Sequence, residues 1–178
     1  MNQRGRVMAT MRIRDLAERY AVAVDAKDVG GVARLFVSDV VVPGHGVGRD
    51  AIAAFYDQVL RRFHCSMHLV ANTVVDQHDE EHASGVVYCR VHHHSTDPEH
   101  WYDHALAYFD DYAIESGQWR FRRRRVHTWY RQTVAHPHAD GARVIPPSGS
   151  DGTSRGRLPD GFATFETFWQ RDPRSSER

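Results

Sequence analysis

The stretch DAIAAFYDQVLRRFHCSMHLVANTVVDQ, residues 50–77, changes its hydrophobic period part-way along. Up to Phe63 the apolar residues Ile52, Phe55, Val59 and Leu60 recur every three or four positions, the stripe of a helix. From Ser66 the alternation becomes one in two, the signature of a half-buried strand. Upstream, Ile13, Leu16, Tyr20, Ala23 and Val24 predict a helix over 11–24, and Val32, Leu35 and Phe36 a short one over 29–36. SDVVVPGHGVGRD (38–50) predicts a short strand running into a glycine-rich turn. Downstream, period two predicts strands over 66–77, 82–94, 100–114 and 118–130, separated by Asp-Glu, Asp-Pro-Glu and Glu-Ser-Gly turns. Helices first and antiparallel strands afterwards make an α+β fold. The strands exceed the usual five or six residues, so the sheet is expected to curve strongly.

The 178 residues suffice for one domain with its own core. Lys plus Arg and Asp plus Glu each number 23, which removes the general electrostatic reason to expect nucleic acid or an anionic membrane as partner. No apolar run approaches the roughly 18 residues that span a bilayer. Basic residues at the start are followed by no apolar stretch, and Cys65 and Cys89 are too few for a disulfide framework. A cytoplasmic protein is expected.

Residues 1–9 are polar and expected to be disordered, with the domain proper over 10–131. From 132 the chain turns rich in Gly, Pro and Ser, then ends in FATFETFWQ (162–170). Phe162, Phe165, Phe168 and Trp169 would share one face of a short helix. Such a tail is expected to dock on its own domain or on a neighbouring subunit.

Asp25 closes the first helical stretch, and His68 lies early in the first long strand. A carboxylate beside an imidazole fixes the ring's tautomer and stabilises the imidazolium formed on taking a proton. Such a pair is equally at home as a buried structural element. For catalysis the two must meet within hydrogen-bond reach, in the largest enclosed pocket.

The segments IRDLAERYAVAVDAKDVGGVARLF (13–36), GVGRDAIAAFY (46–56), MHLVANTVVD (67–76) and YFDDYAIESGQWRFRRRRV (108–126) resemble the SnoaL-like branch of the nuclear transport factor 2-like superfamily. The resemblance implies a cone-shaped α+β domain whose curved sheet wraps around the N-terminal helices. Within that superfamily, Asp25 and His68 look like the catalytic pair of scytalone dehydratases and hexachlorocyclohexane dehydrochlorinases. His104 falls near a further pocket histidine of the dehydratases, and Arg124 near a pocket arginine of the dehydrochlorinases. A lysine of the latter is Tyr20 here, which disfavours halide elimination and favours a phenol donating to an oxygen.

The resemblance therefore implies a cofactor-independent lyase, isomerase or cyclase acting on a small, fairly apolar carbonyl or phenolic compound. His68 would be its base, Asp25 the orienter, and Tyr20, His104 and Arg124 the substrate-binding residues. A homo-oligomer, dimer or trimer, goes with it, because the open sheet face in this superfamily is commonly covered by another subunit. The alternative is a non-catalytic ligand carrier or an assembly domain like a dioxygenase β-subunit. Thirteen histidines raise the question of a metal. His92 and His94 would share a strand face, but Gly85, His92, His94 and Glu99 only approximate a known ligand pattern, and His136-Pro-His138 lies in the irregular tail. No metal is expected.

Overall fold

The computed structural model describes residues 2–96, 100–134 and 162–171. Three helices precede the sheet: α1 (Gln3–Asp25), α2 (Val29–Arg34) and α3 (Arg49–Leu60). A two-residue ladder, β1 (Val41–Val42) with β2 (Gly46–Val47), occupies the glycine-rich turn. Four long strands follow, β3 (Phe63–Gln77), β4 (His82–Ser95), β5 (Trp101–Glu115) and β6 (Gln118–Val134), then α4 (Ala163–Gln170). The four form one antiparallel sheet in the order β3-β4-β5-β6, a meander that curves around the helices.

Helix α1 starts earlier than the sequence suggests. Asn2 caps it by accepting the Gly5 N–H at 2.9 Å, and Gln77 of β3 donates to the Arg6 carbonyl, so residues 3–9 are helical rather than disordered. The buried stripe Ile13, Leu16, Ala17, Tyr20 and Val24 lies over the concave face. The end of α2 is tied to β6 by Val37 N–H to the Phe121 carbonyl and Phe121 N–H to the Leu35 carbonyl, which closes that side of the cone. At Gly85 the helices' side of β4 is so crowded that a Cβ would lie 2.6 Å from the Val74 carbonyl and 3.2 Å from the Tyr112 ring.

Irregularities in the sheet decide which side chains face inward. The register between Val70 and Thr73 slips by one residue, so Asn72 and Val74 do not share the face of His68 and Val70. A second slip places Arg122 as an extra residue between Phe121 and Arg123, and a third does the same for Trp129. Each reverses the in–out parity of the chain beyond it. The strand continues to Val134, past the expected boundary at 131.

The tail helix α4 packs on its own chain. Thr164 Oγ1 donates to the Ala26 carbonyl at 2.6 Å, and Phe168 is 1% exposed. The aromatic residues Phe165, Phe168 and Trp169 lie on this helix, Ala163–Gln170. The Gly/Pro/Ser-rich stretch, with Glu99, His136 and His138, lies outside the described residues.

Candidate functional site

Asp25 is the last residue of α1 and stands over the edge strand β3. A helix C-terminus carries partial negative charge, so a carboxylate there is disfavoured unless donors surround it. Here three do. Oδ1 accepts from Ser66 Oγ at 2.7 Å and from His68 Nδ1 at 2.6 Å, and Oδ2 accepts the His68 backbone N–H at 2.8 Å. The His68 and Asp25 side chains are 9% and 13% exposed. With the carboxylate on Nδ1, that nitrogen carries the proton, which leaves Nε2 as the basic atom of the ring.

A second set of polar groups shares the concave face. His68 is opposite Val91, Val91 opposite His104, and His104 opposite Arg131, one row across all four strands. The neighbouring row holds Ser66, His93 and Tyr102. The His93 and His104 rings lie 5.8 Å apart, and His104 Nε2 meets Thr128 Oγ1 at 2.9 Å. Burial pushes the His93 imidazole down to about 4, with help from the charges of His104 and Arg131. Burial lowers His104 too, with Arg131 and His68 acting in the same direction. Both rings are therefore neutral at pH 7. His93 is 4% exposed, and its Nε2 has no hydrogen-bond partner among the described residues.

His93 is the residue that sequence reasoning missed. The signal was there: Val87, Cys89 and Val91 are the buried positions of β4, and continuing that alternation brings the central histidine of His92-His93-His94 inward. His92 and His94 fall on the outer face, where His94 stacks on Trp101 at 4.9 Å. Among the described residues, no three His, Cys, Asp or Glu side chains are grouped as metal ligands.

Tyr20 and Arg124 are placed differently from the expected substrate donors. The Arg124 side chain is 2% exposed and grips Asp110 through Nε (2.9 Å) and Nη2 (2.7 Å). Its guanidinium lies 4.1–4.2 Å from the ring centres of Tyr20, Tyr108 and Phe121. Tyr20 is 5% exposed and its hydroxyl is 2.9 Å from that of Tyr56. Neither hydrogen-bonds to the Asp25–His68 pair. They build an aromatic core around a buried ion pair, because the slip at Arg122 turns Arg124 inward against Asp110.

A groove of about 1140 Å³ opens between α1, α2 and the β5–β6 turn, with Leu16, Val22, Arg34 and Trp119 among its lining. Neither Asp25 nor His68 lines it.

The SnoaL-like domain model matches residues 6–125, two thirds of the chain. The chain belongs to the SnoaL-like family. Solved structures of the same fold include a "putative scytalone dehydratase" from Novosphingobium aromaticivorans, 23% identical over 76% of this chain and 93% of that one, with a TM-score of 0.66. A hexachlorocyclohexane dehydrochlorinase from Novosphingobium barchaimii is 20% identical over 82% and 100%, TM-score 0.68. A Mycobacterium tuberculosis protein of unknown function is 19% identical over 96% and 89%, TM-score 0.58. No curated protein matches the chain. At these identities the likeness establishes the fold, and function must come from the site.

Proposed function

We propose that this SnoaL-like protein is a cofactor-independent lyase, isomerase or cyclase that removes a proton from a small, largely apolar carbonyl or phenolic compound. The observation that carries the proposal is the 2.6 Å contact between Asp25 and His68 Nδ1, with Nε2 left as the base. In the reading we favour, Nε2 takes a proton from the carbon next to a carbonyl and the C–H pair moves into an enolate. Asp25 stabilises the resulting imidazolium. The enolate then expels a β-hydroxyl, which leaves as water with the proton returned by His68. His104, neutral and in the same cross-strand row as His68, is the candidate to donate to the carbonyl oxygen. Relatives of the same fold named for dehydration and dehydrochlorination support an elimination. Intramolecular aldol closure uses the same first step.

Deuterium uptake from D₂O at the α-carbon of 1-tetralone, followed by mass spectrometry, tests the first step. The protein should accelerate uptake, and His68→Ala should lose the acceleration by about 10²–10⁴, the usual worth of a general base. Uptake that is equal in wild type, His68→Ala and Asp25→Asn would remove the proposal.

We also propose a homo-oligomer assembled through the outer sheet face, on the observation that Met67, Leu69, Tyr88, Phe109 and Trp129 are 39–67% exposed there. No described helix is long and apolar enough to cross a membrane, and Cys65 and Cys89 form no disulfide, which supports a cytoplasmic setting.

A further inference from the structure

Arg131 stands at the far end of the row that begins with His68. Strict alternation from Thr128 would turn residue 131 outward. The extra residue at Trp129 reverses the parity and places Arg131 opposite His104, on the concave side. Its guanidinium lies 4.7 Å from the centre of the Tyr102 ring, which holds it in place by cation–π contact. Arg122, Arg123 and Arg124 of the same strand each face an aspartate, and so does Arg90 of β4. Arg131 has no carboxylate partner among the described residues. Asp103, an acid on the neighbouring strand, is occupied by Arg90 through two contacts of 2.7 Å.

Between the two ends of the row lie Val91, 3% exposed, and His104, and Leu106, 6% exposed, follows two residues on from His104 along the same face of β5. Three strand spacings of about 4.8 Å put the backbones of His68 and Arg131 roughly 14 Å apart. Side chains reaching inward from both ends shorten that to the length of one or two fused rings.

Resting on the concave face as the substrate site, we propose that Arg131 anchors a carboxylate of the substrate. The compound would then be a small cyclic or aromatic acid, with the carboxylate at the end remote from the carbon that His68 deprotonates. A carboxylate suits a single planar guanidinium, which it can engage through two parallel hydrogen bonds. Val91 and Leu106 give the rings an apolar floor beside His104, and the far end of the compound presents the acidic C–H to Nε2. Arg131 is a positioning and specificity residue: it takes no part in moving the proton.

The test is equilibrium binding of two isosteric probes to the full chain, 2-naphthoate and 2-naphthamide, by calorimetry with the histidine ring resonances followed by NMR. Naphthoate should bind at least ~10-fold more tightly, the worth of a charge-assisted contact, and should shift the His104 resonance. Arg131→Gln should bring naphthoate down to the naphthamide level and leave naphthamide within about twofold. Arg131→Lys should retain part of the preference, and 0.5 M NaCl should reduce it in wild type. Equal affinity for the two probes, binding of neither, or a preference that survives Arg131→Gln would overturn the proposal. Should Arg131→Gln fail to fold, the lysine variant and the salt series decide alone. His68→Asn separates this inference from the catalytic one: it should keep the naphthoate preference while abolishing deuterium uptake. Uptake lost with no carboxylate preference sinks only the anchor; a preference with uptake untouched by His68→Asn sinks only the base.

Discussion

Asp25 occupies a position where a negative charge is poorly tolerated, the end of a helix with no basic residue in its last turn. Its three donors, two of them from His68, offset that cost. Asp25→Asn replaces one carboxylate oxygen by a donor, so either the backbone N–H or the ring Nδ1–H of His68 meets another donor. Deuterium uptake should fall almost as far as in His68→Ala, while the melting temperature drops by several degrees. His93 makes a separate prediction in acid. Its ring is held near 4 in the folded chain against an ordinary 6.5, so the unfolded chain binds the extra proton across that window. Stability should therefore fall as pH drops from 6.5 to 4, by on the order of 3 kcal/mol at most. His93→Gln should flatten that part of the profile in urea unfolding measured at successive pH values; an unchanged slope would show that His93 is already free to charge. The Asp25–His68 pair was legible from sequence because both ends of it sit at regular positions, a helix terminus and an early strand residue. Arg124 and Arg131 were not. Their orientation depends on single extra residues at Arg122 and Trp129, which leave no mark in the hydrophobic pattern.

At the scale of elements, the turn after α1 carries an unusual lysine. Lys27 adopts a left-handed backbone (φ 52°), a conformation that glycine takes at helix ends at less cost. Its side chain is 4% exposed and donates to the carbonyls of Leu60 (2.7 Å) and Phe63 (2.8 Å), and it lies under the rings of Phe168 and Trp169 at 4.8 and 4.7 Å. One ammonium thus joins the end of α1, the end of α3, the start of β3 and the tail helix. Burial brings it down from 10.5 to about 8. The unfolded chain keeps that proton up to about 10.5 and the folded chain releases it near 8, so folding becomes more favourable as pH rises between the two. The melting-temperature advantage of wild type over Lys27→Met should accordingly grow from pH 8 to pH 10; a gap that shrinks over that range would contradict the assignment. The aromatic helix was legible from its spacing, whereas its receptor was not. Nothing in the order of residues says that position 27 would meet positions 165–169.

At the scale of the molecule, the sheet has two faces with opposite fates. Ile13 of α1, Val32 of α2 and Phe36 just after α2 pack with Phe121 of β6 at one end of the concave face, each at most 2% exposed, and the row from His68 to Arg131 crosses the other. The convex face has no element of the described chain over Leu69, Tyr88 and Trp129, and the Tyr88 and Trp129 ring centres lie 5.0 Å apart. A face of that kind left in water is costly at about 25 cal/mol per Å² of apolar area. On the proposed assembly a second copy of the chain would cover it, since a symmetric contact needs only one self-complementary patch. Light scattering should therefore give a mass of two or three chains, and the double variant Leu69→Arg with Trp129→Glu should give one. The substitutions lie on the side opposite Asp25 and His68, so the monomer should remain folded by circular dichroism and still bind 2-naphthoate. A wild-type protein that runs as a single chain at high micromolar concentration would mean that this face serves something other than self-assembly.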